Sequence, residues 1–200
     1  MISQKEIVVA KYNEDVNWLN SLNGGKVTIY NKGNGDLPNS IKLPNIGREP
    51  HTYFYHIVNN YDNLSDWTFF TQGHPFDHVR DFVEVVNNWG VDKPNVINIQ
   101  DKGFFFSNGI FNKSLKSYSN GTPYHFGVLN INKLWSSIFT CNPPEEYEFS
   151  AGCVFCVHKD LILQRDIEFY KKCLTLTETI ENSPWEFERM IQYVFNNKFI

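Results

Sequence analysis

Two imidazoles and a carboxylate fall within five residues in the stretch Thr68-Phe69-Phe70-Thr71-Gln72-Gly73-His74-Pro75-Phe76-Asp77-His78. A short apolar strand runs straight into this polar cluster. Gly73 permits a sharp bend there, and Pro75 fixes φ for a second. The ends of buried strands are where open α/β sheets bind ligands. His74, Asp77 and His78 can converge on a hard divalent cation such as Mn²⁺ or Mg²⁺, with phosphate oxygens as further ligands. The same residues also fit a quieter role, in which His74 satisfies backbone groups and Asp77 caps the next helix. Gln72 suits hydrogen bonds to a ribose or sugar hydroxyl.

Three other places carry usable chemistry. Arg48 and Glu49 stand where a helix is predicted to begin. A helix start offers free N–H groups and a partial positive end suited to phosphate, and the guanidinium fork of Arg48 can grip a diphosphate. A surface Arg48–Glu49 pair with no chemical use fits the same two residues. Glu186 and Glu188 lie early in the last predicted helix. Either carboxylate, placed beside a sugar, serves as a base or binds a hydroxyl. Surface salt bridging by Glu186 with Arg189, three residues on, is the plainer alternative. Asp101 follows a predicted strand and is a further base candidate. The chain has no nucleophile elbow, no phosphate-binding loop and no HExxH, which removes the usual signatures of serine hydrolases, P-loop kinases and zincin proteases. Gly33-Asn34-Gly35 lacks the spacing of a dinucleotide fingerprint.

Strands and helices must alternate to position these groups. Ile7-Val8-Val9-Ala10 reads as a buried strand, residues 16–22 as a helix capped by Asp15, and Lys26-Val27-Thr28-Ile29-Tyr30 as a second strand. Residues 31–47 read as loop, with a helix following Pro50 and a third strand at residues 67–71. A helix is predicted over 79–89 and a weaker strand over 96–99. Residues 101–125 read as irregular. A helical segment within 129–139, a strand over 149–157 and helices over 161–176 and 184–195 complete the pattern. The alternation predicts an α/β domain with a mostly parallel central sheet flanked by helices. The strand exits at residues 10–15, 30–33 and 71–78 would then surround one pocket.

Composition bounds the function. The 200 residues suit one domain, and the aromatic share of 16% suggests a thick core and a ring-lined cleft. The net charge of −4 comes with no basic block, so no nucleic-acid partner is expected. No run approaches the ~20 apolar residues of a membrane span. The first residues lack the apolar run of a signal peptide. Cys153 and Cys156 have the gap of a zinc or redox half-site, yet no second such pair exists, so core thiols in a reducing, cytoplasmic compartment are expected. The chain ends soon after a helical pattern, which suggests a piece of something longer.

The chain resembles the DUF3431 family of uncharacterised proteins. The resemblance rests on Val8-Val9-Ala10, Tyr30-Asn31-Lys32-Gly33, Asn45 to Glu49, Thr52 to Ile57, Gln72-Gly73-His74-Pro75 and Glu188-Arg189, in that order over nearly the whole chain. It also resembles a small GT-A glycosyltransferase domain of the large DNA viruses of chlorella, which glycosylates viral capsid protein. Tyr12-Asn13-Glu14-Asp15 matches the first strand exit of that superfamily. The place of its Asp-x-Asp motif is taken here by Gln72-Gly73-His74, so either His74 with Asp77 or His78 replaces the carboxylates, or metal dependence is lost.

That second resemblance implies a GT-A-like, Rossmann-related domain over 1–200, with a nucleotide-binding part over about 1–100 and an acceptor-side part over about 101–200. It implies a UDP- or dTDP-sugar donor, a glycan or glycoprotein acceptor and Mn²⁺ assistance, in the host cytoplasm if the protein is viral. Ala10 and Tyr12 would bracket the base, with Asn13, Gln72 and Gly73 in the same donor-binding set. Asn31 and Arg48 would touch ribose or diphosphate, and the acceptor would rest near Phe149-Ser150-Ala151-Gly152. Glu186 or Glu188 would hold the late acidic position of the base. A nucleotide-sugar-binding domain without catalysis, a metal-dependent phosphodiesterase and a structural capsid protein are the rival expectations.

Overall fold

The computed structural model describes residues 4–89, 96–100, 104–107, 115–118, 123–124, 127–149 and 151–196. A seven-stranded sheet forms its centre. The strands are β1 (Lys5–Lys11), β2 (Lys26–Asn31), β3 (Ser40–Lys42), β4 (Trp67–Gln72), β5 (Val96–Gln100), β6 (Phe104–Ser107) and, late in the chain, β11 (Phe155–His158). Their order is β3-β2-β1-β4-β11-β6-β5. The first four strands pair in parallel. β11 is antiparallel to both β4 and β6, and β5 is antiparallel to β6. Five of the seven strands therefore point one way, as the alternation predicted. Strands β7 (Leu115–Tyr118) and β10 (Glu146–Phe149) pair separately, as do β8 (Pro123–Tyr124) and β9 (Gly127–Val128).

Burial on both faces explains the continuous apolar runs in the sequence. Along β1, Val8 and Ala10 enter one core while Ile7 and Val9 enter the other. Phe70 and Phe69 divide in the same way along β4. The larger core is covered by α1 (Arg48–Asn60), α3 (Ile131–Ile138), α5 (Ile167–Thr179) and α6 (Ser183–Val194). The smaller core lies under α2 (Phe82–Asn87) and a 3₁₀ turn at Asn17–Ser21. Cys153 and Cys156 fall in opposite cores, and all four cysteines are free. No helix among the described residues is long and apolar enough to cross a membrane.

Several elements differ from expectation for local reasons. The helix predicted over 16–22 is only the 3₁₀ turn, because Asp15 accepts from Asn17 N two residues on, at 2.8 Å, and closes a tight turn instead. The helix predicted over 79–89 shortens to α2. Residues 31–47 contain β3, and residues 101–125, predicted irregular, contain β6, β7 and β8. The strand predicted over 149–157 breaks into β10 and β11 at Gly152, whose φ is +82°. The helix predicted over 161–176 divides into α4 (Lys159–Ile162) and α5, where Asp166 caps α5 by accepting from Phe169 N at 2.9 Å.

A buried polar network ties β1, β2 and α1 together beneath the sheet. Glu6 is 1% exposed and accepts from Thr28 Oγ1 at 2.7 Å and Ser65 Oγ at 3.1 Å. Lys26, its register partner across β2, pairs with it at 3.0 Å. His56 Nε2 lies 3.8 Å from Glu6, and its Nδ1 is 3.0 Å from the Tyr30 hydroxyl. Burial pushes His56 down to about 4, with Glu6 pulling the other way. Burial would raise Glu6, but the Thr28 hydroxyl, His56 and Lys26 outweigh it and hold the carboxyl below its usual range. His56 is thus neutral when folded but gains a proton in the unfolded chain below about 6.5. Its share of stability is complete above that pH and is lost as pH falls toward 4. Glu6 loses its share below the usual carboxylate pKa, in the same direction. Urea unfolding should therefore show a loss on the order of 2 kcal/mol between pH 7.5 and pH 5. The variant His56→Gln should show a smaller pH difference, and a flat wild-type profile would contradict the burial of a neutral His56.

Candidate functional site

Three parallel strands end at one rim. At the exit of β1, Tyr12 N donates to Glu14 Oε2 at 2.6 Å, folding the chain back on itself. The exit of β2 runs beside it, with Lys32 N donating to Lys11 O at 2.8 Å. Gly33 has to be a glycine, since a Cβ there would sit 1.9 Å from the Tyr12 carbonyl oxygen. Asn31 is buried and holds the next turn by accepting from Gly33 N at 3.0 Å and donating to Gly35 O at 2.6 Å. It shapes the rim rather than lining it.

The start of α1 closes the rim. Gly47 and Arg48 both adopt positive φ, at 58° and 45°. That strained entry is held by Lys32, whose Nζ donates to Ile46 O and Arg48 O at 2.5 Å each. Lys32 is 5% exposed, and burial pushes its ammonium down to about 8. Between these pieces lies a cleft of about 280 Å³ lined by Ala10, Lys11, Tyr12, Glu14, Lys32, Asn45, Arg48 and Glu49. The structure therefore brings together Ala10, Tyr12 and Arg48. Arg48 Nε is 3.4 Å from Glu49 Oε2, so the surface pair is also present.

The exit of β4 stands next to β1. Glu14 lies over Gly73, where a Cβ would meet its Oε2 at 2.6 Å, and Trp18 Nε1 donates to Gly73 O at 2.9 Å. Gln72 Nε2 donates to His74 O at 2.8 Å. Asn13 is exposed beside Gly33. His74 Nε2 and Asp77 Oδ1 are 3.7 Å apart at the surface. His78 turns away to lie over Gly152, where a Cβ would meet its Cδ2 at 2.3 Å. Among the described residues, no three His, Cys, Asp or Glu side chains are grouped to hold a metal ion.

The turn at Gly152 gathers the second set of groups. Gly152 N donates to Glu188 Oε1 at 2.6 Å. Arg189 Nη1 lies 3.0 Å from Glu188 Oε2 and donates to Trp185 O at 2.8 Å, with its guanidinium 4.7 Å over the Phe149 ring. Burial pushes the Glu188 carboxyl up, Arg189 and the Gly152 amide pull it back, and Glu49 adds to the rise. Burial pushes His78 down, and Asp77 and Glu49 act against that. Glu49 lines the cleft, and its charge acts on both Glu188 and His78. Arg48 links the cleft to α6, its guanidinium 5.2 Å from the Trp185 ring.

Glu186, two residues from Glu188, points elsewhere. It is buried, accepts from Asn130 N at 2.7 Å and lines a separate cleft with Lys133 and Asn182. Asp101 and Ser150 lie outside the described residues. Sequence reasoning placed Lys11, Glu14 and Lys32 in the strand exits around the pocket but gave them no role of their own. The run Tyr30-Asn31-Lys32-Gly33 was the signal for Lys32, since a lysine directly after a buried strand end must reach a partner.

The family model described as a protein of unknown function (DUF3431) matches residues 7–200. The chain belongs to the DUF3431 family. No curated protein and no solved structure matches it. The residues of this DUF3431 chain that line the cleft and the Gly152 turn all lie within the matched span.

Gly152 should be irreplaceable for a geometric reason. A side chain there is strained at φ +82° and collides with the His78 ring. The variant Gly152→Ala should lose on the order of 2 kcal/mol in thermal or urea unfolding. A wild-type melting curve would show that the turn is not held this way.

Proposed function

We propose that this DUF3431 chain is a glycosyltransferase that moves a sugar from a UDP- or dTDP-sugar to a hydroxyl of a glycan or glycoprotein. The observation that carries the reading is the joining of two kinds of group at one sheet edge. A cleft with cations Lys11, Lys32 and Arg48 lies at the exits of β1 and β2, and Arg48 connects it, through the Trp185 ring, to α6, which carries the half-buried carboxylate of Glu188. The strand order β3-β2-β1-β4 supports a Rossmann-related, GT-A-like domain, in which ligands bind beyond the carboxyl ends of the strands.

In this reading the nucleotide base rests near Ala10 and Tyr12, and the diphosphate faces Lys11, Lys32 and Arg48. Glu188 removes the proton from the acceptor hydroxyl. The freed oxygen forms a bond to the anomeric carbon, and the bond from that carbon to the phosphate oxygen breaks. The electron pair leaves on the diphosphate, where the cations stabilise the growing charge. A carboxyl raised by burial is a better base than an exposed one, and its salt bridge to Arg189 favours the ionised form that base function requires. Mn²⁺ or Mg²⁺ would add charge stabilisation in a metal-assisted member of such a superfamily. The groups at Gln72, His74, Asp77 and His78 do not assemble into a donor set for it among the described residues. That mismatch favours one rival, a domain that binds sugar nucleotides without turnover.

Calorimetric titration with UDP, UDP-glucose and dTDP-rhamnose should give saturable binding, and donor hydrolysis or transfer over an acceptor panel should follow. Glu188→Gln should lower kcat by about 10²–10⁴-fold while changing donor affinity little. The acid limb of the wild-type kcat profile should lie above the usual carboxylate range, because base function needs Glu188 ionised and its carboxyl is raised. Binding without any turnover would support the binding-only domain, and the absence of sugar-nucleotide binding would overturn the assignment.

A further inference from the structure

The cleft at the exits of β1 and β2 has a charge arrangement that bears on how an anion is held there. Lys32 is a buried cation with no carboxylate in ion-pair contact among the described residues. Its only hydrogen-bond partners among those residues are the carbonyls of Ile46 and Arg48. Moving an ammonium out of water is costly unless an opposite charge compensates. Two neutral carbonyls orient the charge without cancelling it, and the nearby charge of Glu49, itself 3.4 Å from Arg48, offsets only part of the cost of burial, so the Lys32 ammonium remains an under-neutralised charge in the cleft wall.

Two further cations flank it. Lys11 closes β1 and donates to the Tyr12 carbonyl at 2.9 Å, again a neutral partner. Arg48 opens α1, a 13-residue helix whose entry has no side-chain cap, so its first N–H groups add positive character. The two carboxylates of the wall are partly engaged already: Glu14 accepts from Tyr12 N, and Glu49 lies 3.4 Å from Arg48 Nε. Three cations against two carboxylates leave the wall positive. The neighbouring exit of β4, where a metal was expected, gathers no set of three ligands among the described residues. His74 and Asp77 stay at the surface, and His78 is turned onto Gly152.

We propose that this cleft binds a diphosphate with protein cations alone, Lys32 as the buried anchor and Lys11 and Arg48 at its sides, and needs no divalent ion. The inference rests on the sugar-nucleotide reading for the identity of its ligand, while the metal-free mode of binding is independent of turnover. Lys32 also holds the Gly47–Arg48 entry in place, so anion binding would brace the start of α1.

Calorimetry on the full chain with inorganic pyrophosphate and with UDP, each in EDTA and in excess Mn²⁺, tests this. The expected result is binding in EDTA with affinity within about 3-fold of that in Mn²⁺, weakened by added salt. Arg48→Met and Lys11→Met, both at accessible positions, should each weaken pyrophosphate about 10-fold or more, the size of a lost charge-assisted hydrogen bond. Lys32→Met should weaken it further, and circular dichroism separates that loss from unfolding. Binding that vanishes in EDTA and returns with Mn²⁺ overturns the inference and leaves the transferase reading standing. Pyrophosphate binding in EDTA without affinity for any sugar nucleotide upholds the cation cleft and removes the transferase reading. Unchanged pyrophosphate affinity in Arg48→Met and Lys11→Met, or no anion binding under any condition, overturns the inference.

Discussion

The buried ammonium of Lys32 is the constraint on which the site depends. An ammonium so placed has to be hydrogen-bonded, and the carbonyls that accept from it belong to Ile46 and Arg48 at a turn of positive φ. One side chain therefore joins the exit of β2 to the entry of α1. The rest of the rim follows from that junction. Gly33 lets the backbone pass under Tyr12, Asn31 closes the loop behind it, and Asn45, Arg48 and Glu49 are brought to face β1. On the far side of the entry, Gly47 packs so closely that a Cβ would meet Thr177 O of α5 at 2.7 Å. The turn is thus held from both sides, which makes the strain at Arg48 sustainable.

A second constraint is the close approach at Gly152. The left-handed turn between β10 and β11 leaves room for the His78 ring and points its amide at Glu188. Three distant parts of the chain meet there: the segment after β4, the break before β11 and the first turns of α6. The carboxylate is partly shielded from water but not alone, since Arg189 and the Gly152 amide stabilise its ionised form. Such a balance of burial against a specific partner is common at reactive sites and also occurs in structural ion pairs.

The first half of the chain was the more legible in sequence. Its parallel strands are buried on both faces, so they appear as unbroken apolar runs, and Pro50 and the apolar spacing after it marked α1. Less visible was β3, three residues at the sheet edge with two of them exposed, which leaves no hydrophobic pattern to read. The break at Gly152 was hidden because Ala151-Gly152-Cys153-Val154 looks like one apolar stretch. Only a neighbouring ring and a carboxylate make a turn there necessary. Among the site residues, Ala10, Tyr12 and Arg48 were legible as strand exits and a helix start, while Lys11 and Glu14 shared the exit of β1 without any local pattern to assign them a role. The choice between Glu186 and Glu188 could not be made from helical spacing, because both lie on partly buried faces of α6.

The sequence by itself determined the α/β alternation, the double-sided burial of β1 and β4, and the collection of polar residues at strand ends. Those properties follow from local periodicity and from the residue types that buried strands and turns accept. The tertiary structure alone decided which polar groups meet. His78 left the cluster with His74 and Asp77 to cover Gly152, Glu188 rather than Glu186 reached that turn, and Lys32 tied the exit of β2 to the entry of α1. Each outcome depends on contacts between segments far apart in the chain, set by how helices seat on the sheet, and no local pattern encodes that seating.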